Sequence, residues 1–572
     1  MVFPKAARGH NLGEHDRPLG LRTVNYAPYP LRFRRPLAAP QARGAEPPRL
    51  RTSTDAGMII ERDVAVRLRD GVEIYVDVFR PEDGRRAAPI VGWGPYGKHG
   101  HTRYSQIFPT SGVDQSAQSR YTAFEALDPV WWVPRGYAII NPDPRGTWHS
   151  EGRATYLSPG EAQDCYDLIE WAGSRDWSTG RVGLSGVSYL ASIQWFVASL
   201  SPPHLAAINP WEGWSDTYRE VARHGGIPET SFWRYLPGRW GHSITEVEDL
   251  ASEDAEHPLY DAFWESKSAP LERVTVPAFV VASWSDQGLH TRGTLEGFKQ
   301  IASRQKWLEI HGRKKWAYFY EREPMERLRE FFDHFLLGKP SGVLSWPRVR
   351  FELRERLLVG EMCPADEWPL RGTRYEPLFL DTARAALSHA LPADESWVEY
   401  DSTGGAATFD LQFETRTDLV GHMKLRLWAA ALAADDMDLF VAVQKLDRNG
   451  HIVPFAFWAQ YSDGPVALGW LRASHRELDA ARSTPWQPVL RHARALPLSS
   501  GEPTCLEIEV WPSGTRFEAG EGLRLVVQGH DIYDYPDTLM ADRHRESVNR
   551  GAHRLFGGGH FDSHLLVPVA SM

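Results

Sequence analysis

Hydrophobic and polar positions alternate along Val64-Ala65-Val66-Arg67-Leu68, break at Asp70-Gly71, and alternate again from Val72 to Val78. That pattern predicts a hairpin over Met58 to Arg80, because strand side chains point alternately to opposite faces and Asp-Gly suits a tight turn. Short, wholly apolar runs follow at Ile90-Val91-Gly92-Trp93, Tyr137-Ala138-Ile139-Ile140, Val182-Gly183-Leu184 and Ala278-Phe279-Val280-Val281. Runs without a polar face fit strands covered on both sides. Helical spacing separates several of them, as between Glu161 and Ala172, where Cys165, Leu168, Ile169 and Ala172 share one face. Strands alternating with helices predict an α/β domain with a mostly parallel sheet.

Between Trp211 and Leu271 the strand character fades into Trp-, His- and Gly-bearing segments, which predicts a helical insertion over the carboxyl edge of the sheet. Glu326 to Leu337 is strongly periodic and stops at Gly338, a residue suited to ending a helix. Beyond about residue 341, short β runs dominate. The clearest are Met423 to Ala430, Leu439 to Val443, Cys505 to Trp511 and Leu523 to Gln528. Many short strands parted by turns predict a β-sandwich of the jelly-roll kind. The expected order is an extended Arg/Pro-rich arm (1–57), an α/β domain (58–210 and 273–340) interrupted by a helical cap (211–272), and a β-sandwich (341–572).

Composition narrows the function classes. The 572-residue chain carries a net charge of −10 and no basic patch beyond the amino-terminal arm, which argues against a nucleic-acid partner. No apolar run is long enough for a signal peptide or a membrane span, so neither export nor a membrane partner is expected. Cys165, Cys363 and Cys505 are far apart and have no metal-ligand spacing, which fits a reducing cytoplasm and predicts no disulfide. A homodimer is left open.

The most informative segment is Arg181-Val182-Gly183-Leu184-Ser185-Gly186-Val187-Ser188-Tyr189-Leu190-Ala191, a strand, a tight turn and an apolar helix. A serine at such a junction is lifted above the sheet, provided its neighbours are small. Gly186 precedes Ser188 by two, but Leu190 stands where a small residue is usual, so the strict pentapeptide is broken. Ser185, after Gly183, is the competing nucleophile. A serine hydroxyl needs a base held by a carboxylate, in the chain order Ser, acid, His for this architecture. Asp286 follows the strand ending near Ala282, and His311 follows Lys306 to Ile310, both placed to converge on Ser188. His290 and His334 compete with His311.

With these residues in view, the chain resembles the cocaine esterase-like CocE/NonD hydrolases, relatives of X-prolyl dipeptidyl peptidases and α-amino acid ester hydrolases. The carriers are Arg69-Asp70-Gly71, Phe79-Arg80-Pro81, Gly94-Pro95-Tyr96-Gly97-Lys98, Asp143-Pro144-Arg145-Gly146, Ser150-Glu151-Gly152 and Gly186-Val187-Ser188-Tyr189-Leu190. The resemblance accounts for Leu190 and implies an α/β-hydrolase domain with a helical cap and a carboxyl-terminal jelly roll. It also implies an oxyanion hole from the Tyr96 hydroxyl and the Tyr189 backbone N–H. Trp284-Ser285-Asp286 fits the family's acid. The histidine departs, because His311 falls about four positions before the place that the family's Gly-Pro-Trp-X-His pattern gives it.

The expected activity is cleavage of a small ester or amide through an acyl-enzyme on Ser188, with no metal or organic cofactor. Trp211, Trp214, Phe232, Trp233 and Tyr235 are candidates for the substrate pocket. An X-prolyl dipeptidyl aminopeptidase would need carboxylates for a free amino terminus, for which Glu212, Asp216, Glu220 and Glu229 are candidates. A catalytically silent protein that binds through its jelly roll is the reading from a different class. Asp435-Asp436-Met437-Asp438 and the group His553, His560, Asp562 and His564 are expected to be structural rather than metal ligands.

Overall fold

The computed structural model describes residues 29–39, 46–98, 104–536, 538 and 541–571. Much of the expected arm (1–28 and 40–45) lies outside the described residues. Within the rest of it, Phe33–Arg34 pairs antiparallel with Val247–Glu248. Arg51–Asp55 forms a strand against Met58–Arg67, so the sheet begins ahead of the expected boundary. This Arg-Thr-Ser-Thr-Asp strand is almost wholly exposed and has no apolar face to reveal it in the sequence.

The central sheet follows from the buried runs. In space the strands are ordered Met58–Arg67, Glu73–Pro81, Tyr137–Asp143, Ala88–Val91, Val182–Val187, Leu205–Trp211, Ala278–Ser283, Lys306–His311 and Val349–Arg356. Pairing is parallel from Tyr137–Asp143 onward. Alternate residues feed two cores. Ile140, Leu184, Ile208 and Val280 pack with Ile169, Ile193 and Val197 on one face. Ile139, Ala207 and Val281 pack with Phe331 and Phe332 on the other. The first face is covered by helices Pro159–Gly173 and Tyr189–Ala198, the second by Arg322–Phe335. Helix Pro159–Gly173 starts where the Ser158 side chain accepts the Glu161 N–H and Pro159 needs no partner for a missing one.

Between Trp211 and Ala278 the chain forms a short π-helical turn at Tyr218–Ala222 and helices Phe232–Trp240, Leu250–Glu256 and Ala262–Ser266. It also holds a two-residue antiparallel pair, Arg223–His224 with Ile227–Pro228, which the helical expectation did not include. Past Val349–Arg356 the chain is strand-rich. Thr417–Ala431 pairs antiparallel with Thr504–Phe517, and Gly522–Gln528 lies between Ala406–Gln412 and Asp438–Leu446. Leu425, Leu427, Val441, Ile508, Leu525 and Leu565 form the core of this region. The fold is thus an α/β-hydrolase-like domain followed by a strand-rich carboxyl-terminal domain. Among the described residues no helix is long and apolar enough to cross a membrane. All three cysteines are free thiols.

Candidate active site

Ser188 sits between strand Val182–Val187 and helix Tyr189–Ala198 with φ 62° and ψ −115°. A non-glycine residue held at positive φ costs on the order of 1–3 kcal/mol and persists only where its surroundings impose it. Here the Ser188 N–H donates to the carbonyls of Trp211 and Glu212, both at 3.1 Å, and the Ser188 carbonyl accepts the Ser192 N–H at 2.8 Å. The broken pentapeptide has a local explanation. Leu190 fills space that side chains on Gly94 and Gly186 would need, since a Cβ there would lie 2.3 and 2.5 Å from Leu190 atoms. The small residues that the elbow demands are therefore upstream of it. Ser185, the competing nucleophile, is buried and bonded to Asn209 at 2.9 Å.

The imidazole facing Ser188 belongs to His290. Its Nε2 is 3.1 Å from Ser188 Oγ, and its Nδ1 bonds Asp286 Oδ2. Asp286 and His290 lie on one tight loop. The Asp286 carbonyl accepts the N–H groups of Leu289, His290 and Thr291 at 3.2, 3.1 and 3.3 Å, which turns the chain back on itself. Gly288 enters this turn at φ 75°, a conformation that a side chain would strain. Trp214 stacks on the His290 ring at 5.4 Å between centroids and 19° between planes.

The expectation that His311 reaches Ser188 does not hold. His311 is the last residue of its strand, level with Ser283, and its Nε2 lies 3.0 Å from Glu212 Oε1. Its ring packs on Tyr318 at 4.1 Å. His334 lies on helix Arg322–Phe335 against Phe335, on the far face of the sheet. The place that the family's spacing gives to histidine is taken by Lys315, whose Nζ is 3.1 Å from Asp286 Oδ2 and 3.2 Å from His290 Nδ1. Burial alone would push the Asp286 carboxyl up, but the Lys315 ammonium and His290 hold it well below the usual carboxylate range. Burial, reinforced by Lys315, pushes His290 down to about 4 against the pull of Asp286.

Ser188 opens into a pocket walled by Phe108, Phe124, Phe232, Leu236, Trp316 and Trp458, with Tyr96, Glu125, Tyr235, Lys315 and Gln460 bringing polar groups to it. The Tyr96 ring packs edge-on against Phe124 and Tyr189. The Tyr189 hydroxyl is drawn away from the pocket and donates to Glu161 at 2.7 Å, fixing this residue as the first of its helix, where the N–H has no intrahelical acceptor.

Of the five expected pocket aromatics, Phe232 and Tyr235 line the cavity. Trp211 is buried against Phe319, Trp214 supports His290, and Trp233 packs toward Trp264. Neighbours on a helix diverge by about 100°, so Phe232 and Leu236 share a face that Trp233 cannot. The carboxylates considered for an amino terminus are otherwise engaged. Glu212 bonds His311, Asp216 pairs with Arg219, Glu220 with Arg292, and Glu229 with Arg543. Glu125, which sequence reasoning missed, is the carboxylate in the pocket; its Oε1 accepts the Trp316 indole N–H at 2.9 Å.

The carboxyl-terminal domain holds the acid–base loop from outside. The Trp458 N–H donates to the Ser285 carbonyl and its indole N–H to that of Gln287, both at 2.9 Å. Arg543 donates to the Gly288 carbonyl at 2.9 Å. Elsewhere in that domain Asp438 pairs with Arg472 and Asp562 with Arg426, while His553 bonds the Tyr400 hydroxyl. No group of metal-ligating side chains occurs among the described residues.

Residues 70–236 match the X-Pro dipeptidyl-peptidase (S15 family) profile, and residues 345–566 match the X-Pro dipeptidyl-peptidase C-terminal non-catalytic domain. Cocaine esterase from Rhodococcus sp. (strain MB1 Bresler) is 25% identical over 58% of this chain and 64% of its own length. A putative Xaa-Pro dipeptidyl-peptidase from Bacillus anthracis is 27% identical over 38% of this chain and 41% of its own. The chain therefore spans less than two thirds of the length of these relatives. An α-amino acid ester hydrolase superposes with a TM-score of 0.71 at 17% identity, over 91% of this chain and 98% of that one, a likeness of fold alone. The crystal structure of a CocE/NonD family hydrolase from Staphylococcus aureus superposes with a TM-score of 0.88 at 40% identity, over 93% of this chain and 99% of that one. This chain belongs to the CocE/NonD family of hydrolases.

Proposed function

We propose that the protein is a serine hydrolase that cleaves carboxylic esters through an acyl-enzyme on Ser188, with His290 as general base and Asp286 as its orienting acid. The observation that carries this reading is the unbroken line from Ser188 Oγ through His290 to Asp286. In the first step His290 Nε2 takes the Ser188 proton as Oγ attacks the ester carbonyl. The Tyr96 hydroxyl and the Tyr189 N–H donate to the oxyanion, and the imidazolium returns its proton to the departing alcohol. Water, deprotonated by the same imidazole, then releases the acid. The segment from Trp211 to Leu271 is read as a helical cap that supplies Phe232 and Leu236 to the acyl pocket, and the strand-rich domain as a jelly roll. The free thiols suit a cytoplasmic setting.

The aromatic pocket favours an ester with an apolar acyl group. The ion pairs that engage Asp216, Glu220 and Glu229 count against a dipeptidyl aminopeptidase, whose case rests on the S15 match and on Glu125. A fluorophosphonate is expected to label the native protein on the peptide carrying Ser188 and to spare Ser188→Ala. Turnover is expected for p-nitrophenyl butyrate and not for an alanyl-proline p-nitroanilide. Equal labelling of both proteins sinks the nucleophile, and the reverse substrate preference sinks the esterase.

Lys315 provides a pH test. His290 must be neutral to act as base, so kcat/KM is expected to fall with acid through an inflection near its value of about 4. Lysine lowers that value, so removing the cation raises it. Lys315→Met is expected to move the acid limb to higher pH by about one unit or more. An unmoved limb contradicts the assigned electrostatics.

A further inference from the structure

The loop that carries the base brings a second buried carboxyl to the acid. Glu212, at the end of the neighbouring strand Leu205–Trp211, and Asp286 are both fully buried. Glu212 Oε1 faces His311 Nε2 at 3.0 Å, while His311 Nδ1 accepts the Arg313 N–H at 3.2 Å. That second bond fixes the proton of His311 on Nε2, so Glu212 Oε1 is an acceptor. The remaining oxygens, Glu212 Oε2 and Asp286 Oδ1, are buried and make no hydrogen bond of ordinary geometry. The Asp286 carboxyl nevertheless stands close enough to push the Glu212 carboxyl up, with the Trp211 indole beside the same group and opposing that push. Buried polar atoms without partners are costly, and two carboxylates in contact are costlier still. One proton between them removes both penalties.

We propose that Glu212 is a neutral carboxylic acid whose O–H donates to Asp286 Oδ1, making it a positioning residue for the triad, and that His311 holds Glu212 in turn. The charges agree. With Glu212 neutral, Asp286 and Lys315 cancel, and both histidines are uncharged. With Glu212 ionised, a net negative charge is stranded away from water. The groups facing Glu212 are Asp286 on the acid–base loop, the neighbouring Trp211 indole, Lys315 on its helix and His311 on its strand. Burial, then Asp286, pushes the Glu212 carboxyl well up, and Lys315 opposes this. His311 in turn faces Glu309, Arg313, Glu321 and Glu352, and burial pushes it down to about 4. Asp286 thus gains donors on both oxygens, His290 and Lys315 on Oδ2 and Glu212 on Oδ1. The Glu212 backbone joins the same frame, as its N–H donates to Val281 at 2.7 Å and its carbonyl accepts the Ser188 N–H.

This role rests on the triad proposed above, but part of its test does not. Glutamine copies a neutral acid, with N–H in place of O–H, and cannot copy a carboxylate. Glu212→Gln is expected to keep kcat/KM within about threefold and to leave the acid limb unmoved. Glu212→Leu is expected to lower kcat by about tenfold or more with KM little changed, as for loss of a hydrogen bond to a charged group. Infrared spectra at neutral pH are expected to show a protonated-carboxyl carbonyl band that Glu212→Gln lacks. That readout needs no turnover, so it stands if Ser188 labelling fails, and it decides the case if the leucine variant does not fold. A band absent from the native protein, or a Glu212→Gln variant as impaired as Glu212→Leu or with its acid limb moved to lower pH, overturns the proposal.

Discussion

His290→Ala is expected to lower kcat/KM on an activated ester by on the order of 10⁴-fold or more, while His311→Ala costs about tenfold or less. The contrast follows from what each ring touches. Removing the His290 imidazole leaves Ser188 with no base within hydrogen-bond reach, and a neutral hydroxyl is a poor nucleophile at neutral pH. Lys315 does not replace it, because its ammonium is directed at Asp286 and the far nitrogen of His290. Removing His311 takes away a donor to Glu212, one step behind the acid. Steady-state kinetics on p-nitrophenyl butyrate, with thermal unfolding as a control for folding, measure both. Comparable losses in the two variants would contradict the assignment.

Ser188→Ala is expected to cost as much as His290→Ala, and the double variant is expected to be no worse than either single one by more than about threefold. A base without a nucleophile has nothing to deprotonate, and a nucleophile without a base is not activated, so the two losses are one loss counted twice. Activity remaining above the uncatalysed rate is expected to come from the oxyanion donors proposed above, the Tyr96 hydroxyl and the Tyr189 N–H, which neither substitution removes. Additive losses in the double variant would mean that Ser188 and His290 act in separate steps.

Much of this arrangement is written locally in the sequence. The strands of the parallel sheet show as apolar runs, and the elbow at Ser188 shows as small residues between a strand and a helix. Even its irregular Leu190 has a signal, the glycines at 94 and 186 that make room for it. The base was harder to read because strand-end logic points to His311, which does end a strand beside the acid. What brings His290 into line is a backbone turn in which one carbonyl, that of Asp286, collects three N–H groups. Its trace in the sequence is modest: Asp286 and His290 four apart, with Gly288 between them. The lysine at the family's usual histidine position is a second trace. Of the pocket's cap aromatics Phe232 and Tyr235 were legible, while Trp211, Trp214 and Trp233 misled, since aromatic content does not say which face of a helix meets the cavity. The grip of Trp458 and Arg543 on the acid–base loop joins residues far apart in the chain, and no local pattern encodes it.

The central claim is that His290 activates Ser188. The most direct measurement is the single-turnover rate of p-nitrophenol release, with enzyme in excess over p-nitrophenyl butyrate, in the native protein, His290→Ala and His311→Ala. The acylation phase is expected to vanish in His290→Ala and to persist in His311→Ala. An acylation phase that persists in His290→Ala and is lost in His311→Ala would contradict the account.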